Sequence, residues 1–272
     1  MVADALEHPI AVVIGAGGMG LAVARRLGQD HRIILADIDE TRLAEAVADL
    51  GATGLDAQAM RCDITDQASV EALASALGGI GGWTALAHVA GLSPSMGDAR
   101  RIFEVNLAGA ARVCGGLLPA ARPGAAAVFI SSVAGHSAVA GDRRRSLLAQ
   151  PLAPDWQQAM AEAFGEAASP ALAYQLSKLG MIMLCQREAL AYARRGARIV
   201  SLSPGLIDTP MGQREAANLP QRAELAARIP LGRQGTMAEI ADVVAFLVSP
   251  GAGYITGTDL LVDGGVKAAM MD

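Results

Sequence analysis

Short apolar runs alternate along this chain with longer stretches of helical period. IAVVI (10–14), RIILA (32–36), TALAHVA (84–90), AAVFIS (126–131), ARIVSLS (197–203) and DLLV (259–262) read as strands, and AQAMRCD (57–63) as a weaker one. Most are apolar at nearly every position, the pattern of a strand covered on both faces. Helical spacing falls at 18–28, 40–50, 66–77, 98–121, 171–195 and 237–248. In RLAEAVADL, Leu43, Ala46, Val47 and Leu50 share one stripe. Strand and helix in alternation predict an α/β fold: one domain over 1–272, a doubly wound parallel sheet of Rossmann type with helices on both faces.

Two segments break this rhythm. Region 136–168 carries two prolines and a short helical pattern at 155–164, and reads as an insertion between a strand and the next helix. A loop of that length inside a compact domain usually carries function or mobility. Segment 207–232 mixes Gly and Pro with Met211, Leu219, Leu225 and Ile229, and reads as a substrate lid with an apolar inner face.

Composition narrows the function. The chain is 52% hydrophobic and 18% charged, with net charge −5, a profile of a packed globule. Its basic cluster, Arg143 to Arg145, reads first as a solvated loop, with anion binding as the alternative. No nucleic-acid partner is expected. Three cysteines without a CxxC pair and four histidines without ligand spacing indicate neither a disulfide framework nor a metal site. Acidic residues stand near the N-terminus where a signal peptide carries bases, and no apolar run is long enough to span a bilayer. A cytoplasmic setting is the expectation.

Candidate chemistry begins at AVVIGAGGMG. Gly15, Gly17 and Gly20 stand in GxGxxG spacing between a strand and a helix. In that context the first glycine allows a tight turn, the second lets backbone N–H groups approach a pyrophosphate, and the third lets helix and strand pack closely. The helix N-terminus adds unpaired donors and a favourable dipole. Asp37 ends the second strand, where a carboxylate can accept both ribose hydroxyls and repel a 2′-phosphate. NAD is the cofactor this favours. Asp63 follows the third strand, as an adenine contact or a turn residue.

The second constellation is AYQLSKLG. Only two lysines and three tyrosines occur in the chain, yet Lys178 follows Tyr174 by four residues, one helical turn. A phenol titrates near ~10, too high for a base at neutral pH. A neighbouring ammonium favours the phenolate and brings proton transfer into the physiological range.

With YQLSK on the page, the chain resembles the short-chain dehydrogenase/reductase family over nearly its whole length outside 136–168. FISSVAG (129–135) matches the strand end with the catalytic serine, Ser132. FEVNLAG (103–109) matches the segment with the catalytic asparagine, Asn106. SLSPGLIDTPM (201–211) and ITGTDLLVDGG (255–265) match its later motifs. The resemblance implies Tyr174 as general acid/base, Ser132 on the same substrate oxygen, Lys178 on the nicotinamide ribose, and Asn106 fixing a relay water. It places the cofactor against Gly15, Gly17, Gly18, Met19 and Gly20, then Asp37 and Ile38, Asp63 and Ile64, Ala90 and Gly91. Lys178, Pro204, Gly205, Ile207 and Thr209 complete that set, the last two at the carboxamide.

Three features depart from the family pattern. Ile14 replaces a threonine before a glycine loop one residue shorter, HVAG (88–91) replaces Asn-Asn-Ala-Gly, and the insertion stretches the distance from Ser132 to Tyr174. Trp156 and Met160 of the insertion, with Met211 of the lid, are expected to join Ser132 and Tyr174 around the substrate. The alternative for the insertion is altered subunit packing. The expected activity is hydride transfer between NAD and a hydrophobic secondary alcohol or ketone, steroidal or alicyclic, by a homodimer or homotetramer. The alternatives are an NADPH-dependent 3-oxoacyl-type ketoreductase and a non-catalytic nucleotide sensor on the same fold.

Overall fold

The structure is a computed structural model that describes residues 9–164, 169–209 and 220–270. Seven parallel strands form one sheet in the order β3-β2-β1-β4-β5-β6-β9. They are β1 (Ile10–Ile14), β2 (Arg32–Asp37), β3 (Ala57–Arg61), β4 (Trp83–His88), β5 (Ala121–Ile130), β6 (Arg198–Pro204) and β9 (Asp259–Val262). A separate two-residue ladder joins β7 (Ile207–Asp208) to β8 (Gly235–Thr236).

The apolar pattern and the burial agree. Every residue of β1 is buried, while the edge strand β3 is mostly open, which is why its pattern was the weaker one. One face of the sheet packs through Val12, Ile14, Leu86 and Phe129 against α3 (Gln67–Gly79), α5 (Ala110–Leu117) and α9 (Pro170–Arg194). The other packs through Val13, Leu35 and Val200 against α1 (Gly18–Leu27), α2 (Glu40–Ala52) and α11 (Met237–Val248). Between these faces the chain order reverses at β1 and β4. A crevice opens beyond the strand ends at such a reversal, and ligands of this fold class bind there.

The helix expected over 98–121 is broken. It runs as α4 (Ala99–Phe103), a π-turn over Glu104–Gly109, α5, and a short 3₁₀ turn (Leu118–Ala120) before β5. Single π-turns inside a helix often mark functional positions, and this one contains Asn106.

The described part of the insertion is folded. Beyond the expected helix, here α8 (Trp156–Phe164), it contains α7 (Asp142–Leu148), and α6 (Val133–Ser137) leads into it. Trp156 and Met160 are buried with Phe103, Leu148, Ala173 and Leu176, between α4 and the outer side of α9. The Trp156 indole N–H donates to the Leu147 carbonyl at 2.7 Å, and its ring meets Phe103 edge-on. Buried Trp requires such a partner for its N–H. Among the described residues no helix is long and apolar enough to cross a membrane.

Candidate active site

The glycine loop is built by exclusion of side chains. Gly15 has φ +105° and donates to the Ala36 carbonyl at 2.7 Å. A Cβ there would lie 2.8 Å from Ala90 N, and one on Gly20 would lie 1.8 Å from the Gly15 oxygen. At Gly17 a Cβ would meet nothing, and Gly17 and Gly18 are exposed. Gly17 caps α1 with no side chain, so the first-turn N–H groups, those of Gly18 and Met19 among them, face outward without a side-chain partner. This is a cradle with open space at its centre, and it fits a dinucleotide phosphate. Among the described residues no group of His, Cys, Asp and Glu could hold a metal ion.

Asp37 braces that cradle. Its carboxylate accepts from Ala16 N at 2.7 Å and Asp39 N at 3.0 Å, with Arg42 at 3.7 Å. Asp39 takes the helix-cap role, accepting from Arg42 N. Ile38 beside them is 46% exposed, an apolar surface open at the strand ends. Asp63 serves its own turn: one oxygen accepts from both Thr65 N and Thr65 Oγ1. Partial burial pushes its carboxyl up, but the two Thr65 bonds together with the Arg101 and Arg61 charges hold it below the usual value. Ile64 is buried against Gly109. Ala90 N donates to the Ile14 carbonyl, and Gly91 closes over Asn106 and Lys178.

The catalytic candidates converge from three elements. Ser132 ends the β5 segment as the cap of α6, its Oγ accepting from Ala134 N at 3.2 Å. Neighbouring Ser131 is buried and donates to the Lys178 carbonyl, a structural bond. Gly135 lets α6 seat on α9: a Cβ there would come within 2.9 Å of the Lys178 carbonyl carbon and Leu179 N. Tyr174 lies half-buried on α9, with the Lys178 Nζ 5.8 Å from its ring centroid. Lys178 is 5% exposed and donates to the Ile130 carbonyl at 2.8 Å. Burial pushes its ammonium down to about 8.

Asn106 is fully buried, and its side chain is a clamp. Oδ1 accepts from Leu92 N at 2.7 Å and Nδ2 donates to the Leu92 carbonyl at 2.9 Å. Nδ2 also reaches Ser177 Oγ at 3.4 Å. The expected water-holding amide is therefore already engaged in fixing the 90–92 turn. Ser177, which donates to the Tyr174 carbonyl, links this clamp to the tyrosine. Ser177 and Gly135 carried no sequence signal of their own, since each acts through a contact remote in sequence.

At the far rim, Gly205 permits close approach of β6 to Asp263, where a Cβ would lie 2.6 Å from its Cα. Pro204 and Ile207 are buried and Thr209 half-buried. Leu225 of α10 (Pro220–Ala227) and Ile229 pack with Leu206, Val266 and Val133, the residue after Ser132. Part of the expected lid thus abuts the site. Met211 and Leu219 lie outside the described residues. Trp156 and Met160, expected around the substrate, anchor the insertion in a cluster against which Tyr174 packs. A cleft of about 930 Å³ does open beside Trp156, between α4 and the insertion, but Ser132, Tyr174 and Lys178 do not line it.

Comparison with known proteins agrees with this geometry. Residues 9–143 match the family model described as short chain dehydrogenase, and residues 159–267 the model described as enoyl-(acyl carrier protein) reductase. A 3-alpha-hydroxysteroid dehydrogenase/carbonyl reductase of Comamonas testosteroni is 34% identical, over 96% of this chain and 97% of its own. A 3beta-hydroxysteroid dehydrogenase of Eggerthella lenta is 31% identical, over 97% and 95%. The solved RhlG/NADP complex of Pseudomonas aeruginosa superimposes with TM-score 0.74 at 27% identity, over 96% and 97% of the two chains. With a glycine cradle at the sheet's reversal point and the Ser132, Tyr174 and Lys178 positions gathered beside it, the chain belongs to the short-chain dehydrogenase/reductase family.

Proposed function

We propose that this protein is an NAD-dependent oxidoreductase acting on a hydrophobic secondary alcohol or its ketone, of alicyclic or steroidal class. The observation that carries it is the Lys178 ammonium, buried behind Tyr174 and anchored on the Ile130 carbonyl. A cation held there favours phenolate, so Tyr174 takes the hydroxyl proton in oxidation and returns it in reduction. The nicotinamide, when bound, accepts or supplies the hydride. Ser132 has one lone pair engaged by Ala134 N, which leaves its O–H to donate to the substrate oxygen. Beyond the Ile130 bond Lys178 keeps N–H capacity to reach a ribose hydroxyl. The cradle of Gly15, Gly17, Gly18, Met19 and Gly20 would hold the pyrophosphate, and Asp37 the adenosine ribose.

Apolar packing of Leu225 and Ile229 beside Val133 supports a hydrophobic substrate, as do the activities named for the two bacterial relatives. A second reading, NADPH as cofactor, is favoured by Arg42 beside Asp37 and by the NADP complex of the structural neighbour. The test is NADH formation from NAD with a panel of cyclic, steroidal and aliphatic alcohols, with NADP in parallel. Tyr174→Phe is expected to lower kcat by at least about a hundredfold, the range of a general acid/base. Undiminished turnover in that variant would overturn the role of Tyr174, and preference for NADP would overturn that of Asp37.

A further inference from the structure

His88 ends β4 where the family pattern has an asparagine. Its backbone lies in register between Ile14 of β1 and Phe129 of β5. Its side chain is 0% exposed, and neither ring nitrogen has a hydrogen-bond partner among the described residues. The ring leans on Phe129, with centroids 5.1 Å apart. A neutral imidazole carries one donor and one acceptor, and leaving both unsatisfied in a core is costly. Apolar packing alone is better served by a leucine.

The surroundings indicate what the ring addresses. The Lys178 ammonium is held on the carbonyl of Ile130, the residue after the one paired with His88. It is near enough to His88 for its charge to oppose protonation of the ring. Three residues beyond His88 the chain folds back over the same spot. A Cβ on Gly91 would lie 3.5 Å from Lys178 Nζ and 3.2 Å from Asn106 Oδ1. The unpartnered imidazole and the ammonium thus lie close to one another behind Tyr174. An enclosed water needs two to four polar partners, and these two groups would supply them, since the Asn106 amide is already engaged with Leu92.

We propose that His88 is a positioning residue for Lys178: its neutral imidazole accepts, through one enclosed water, a hydrogen bond from the ammonium and holds that charge in place behind Tyr174. Among the described residues, Tyr174 on its own helix and His88 on β4 are neighbours of Lys178 able to carry charge, and from β5 it meets the Ile130 carbonyl. Burial and the ammonium hold His88 neutral down to about 3, whereas Lys178 loses its proton only near 8. Over the working range the pair is one cation facing one neutral acceptor. This deepens, and for its catalytic meaning rests on, the oxidoreductase reading above.

The experiment uses the fact that the chain has two lysines. In lysine-labelled full-length protein, the side-chain NMR signals of Lys178 and Lys267 are followed with pH, Lys267 serving as internal control. In His88→Leu the Lys178 midpoint is expected to fall by about one pH unit, as a favourable partner of the charged form is lost. His88→Asn, which restores an acceptor, is expected to return it to within about half of that shift. The basic limb of kcat/KM should move with the NMR midpoint. Imidazole ¹⁵N shifts of the wild type, assigned with the Asn variant, should show one ring nitrogen accepting a hydrogen bond. A Lys178 midpoint unmoved in His88→Leu, with only melting temperature altered, would overturn the proposal. So would wild-type shifts showing no hydrogen bond on either ring nitrogen, a result independent of whether the variants fold. If the Lys178 midpoint moves while no alcohol is oxidised, the positioning role stands and the function reading falls.

Discussion

Single residues set the terms of this site. Gly17 and Gly20 belong to one motif yet have different reasons to be glycine. Gly20 is sterically required, since its Cβ would overlap the Gly15 carbonyl, whereas Gly17 faces open space in an extended conformation. Gly20→Ala is expected to destabilise the fold by about 1–3 kcal/mol or more. Gly17→Ala should cost about 1 kcal/mol or less, since its φ/ψ suits alanine even though alanine is a poorer helix cap. It should nonetheless weaken cofactor binding severely. Thermal melts with and without NAD separate the two. A second residue-scale expectation concerns acid. His88 titrates at about 3 when folded and near 6.5 when unfolded. The unfolded chain therefore binds the extra proton between these values. The contribution is whole above pH 6.5 and is lost as pH falls toward 3, at up to about 1.4 kcal/mol per pH unit. Urea midpoints at pH 7, 5.5 and 4.5 should drop more steeply in the wild type than in His88→Asn. Parallel slopes would show that His88 is not the group responsible.

Elements place those residues, and their boundaries were unevenly legible. The strand DLLV and the helix 237–248 match the sequence reading at both ends; on the helix, Thr236 and Glu239 form a capping box that fixes its start. The π-turn at 104–109 had no such mark. Its cause is tertiary, since Asn106 must face Leu92 while Gly109 passes Ile64 and Leu107 fits against Gly180. The insertion was legible as an insertion but not in its role. Apolar content and position led to the expectation that Trp156 and Met160 line the substrate pocket; packing places them in a cluster with Phe103 of α4 and Leu176 of α9. Trp156→Ala is accordingly expected to cost about 3–5 kcal/mol of stability, with KM for the substrate nearly unchanged. Urea unfolding and steady-state kinetics on the same variant check this, and a large KM change at unchanged stability would restore the substrate-wall reading.

At the scale of the whole molecule, the sheet sandwiched by two helix layers leaves its thiols enclosed. Cys62, Cys114 and Cys185 are all free and buried. Burial raises each thiol above its ordinary value, Cys114 to about 12. Thiolate is the reactive form, so the native protein should be nearly inert to a colorimetric thiol reagent at pH 8. Labelling should instead follow global unfolding, with all three thiols released together in denaturant. Rapid labelling of one cysteine in the folded protein would reveal a local opening that this packing does not contain.

The sequence by itself determined the fold class and pointed to the cofactor cradle and the Tyr174–Lys178 pair, while Ser132 and Asn106 came with the family resemblance. The first three are written in local signals: hydrophobic period, glycines at a turn, and two functional groups one helical turn apart. Tertiary structure alone decided what those groups do to one another. That Asn106 holds the Leu92 turn, that Gly135 admits α6 to the Lys178 backbone, and that Asp37 braces Ala16 are contacts between segments remote in sequence. So is the burial that strips His88 of partners and lowers the Lys178 ammonium. Desolvation depends on which elements close over a side chain, and no short-range pattern of residues contains that information.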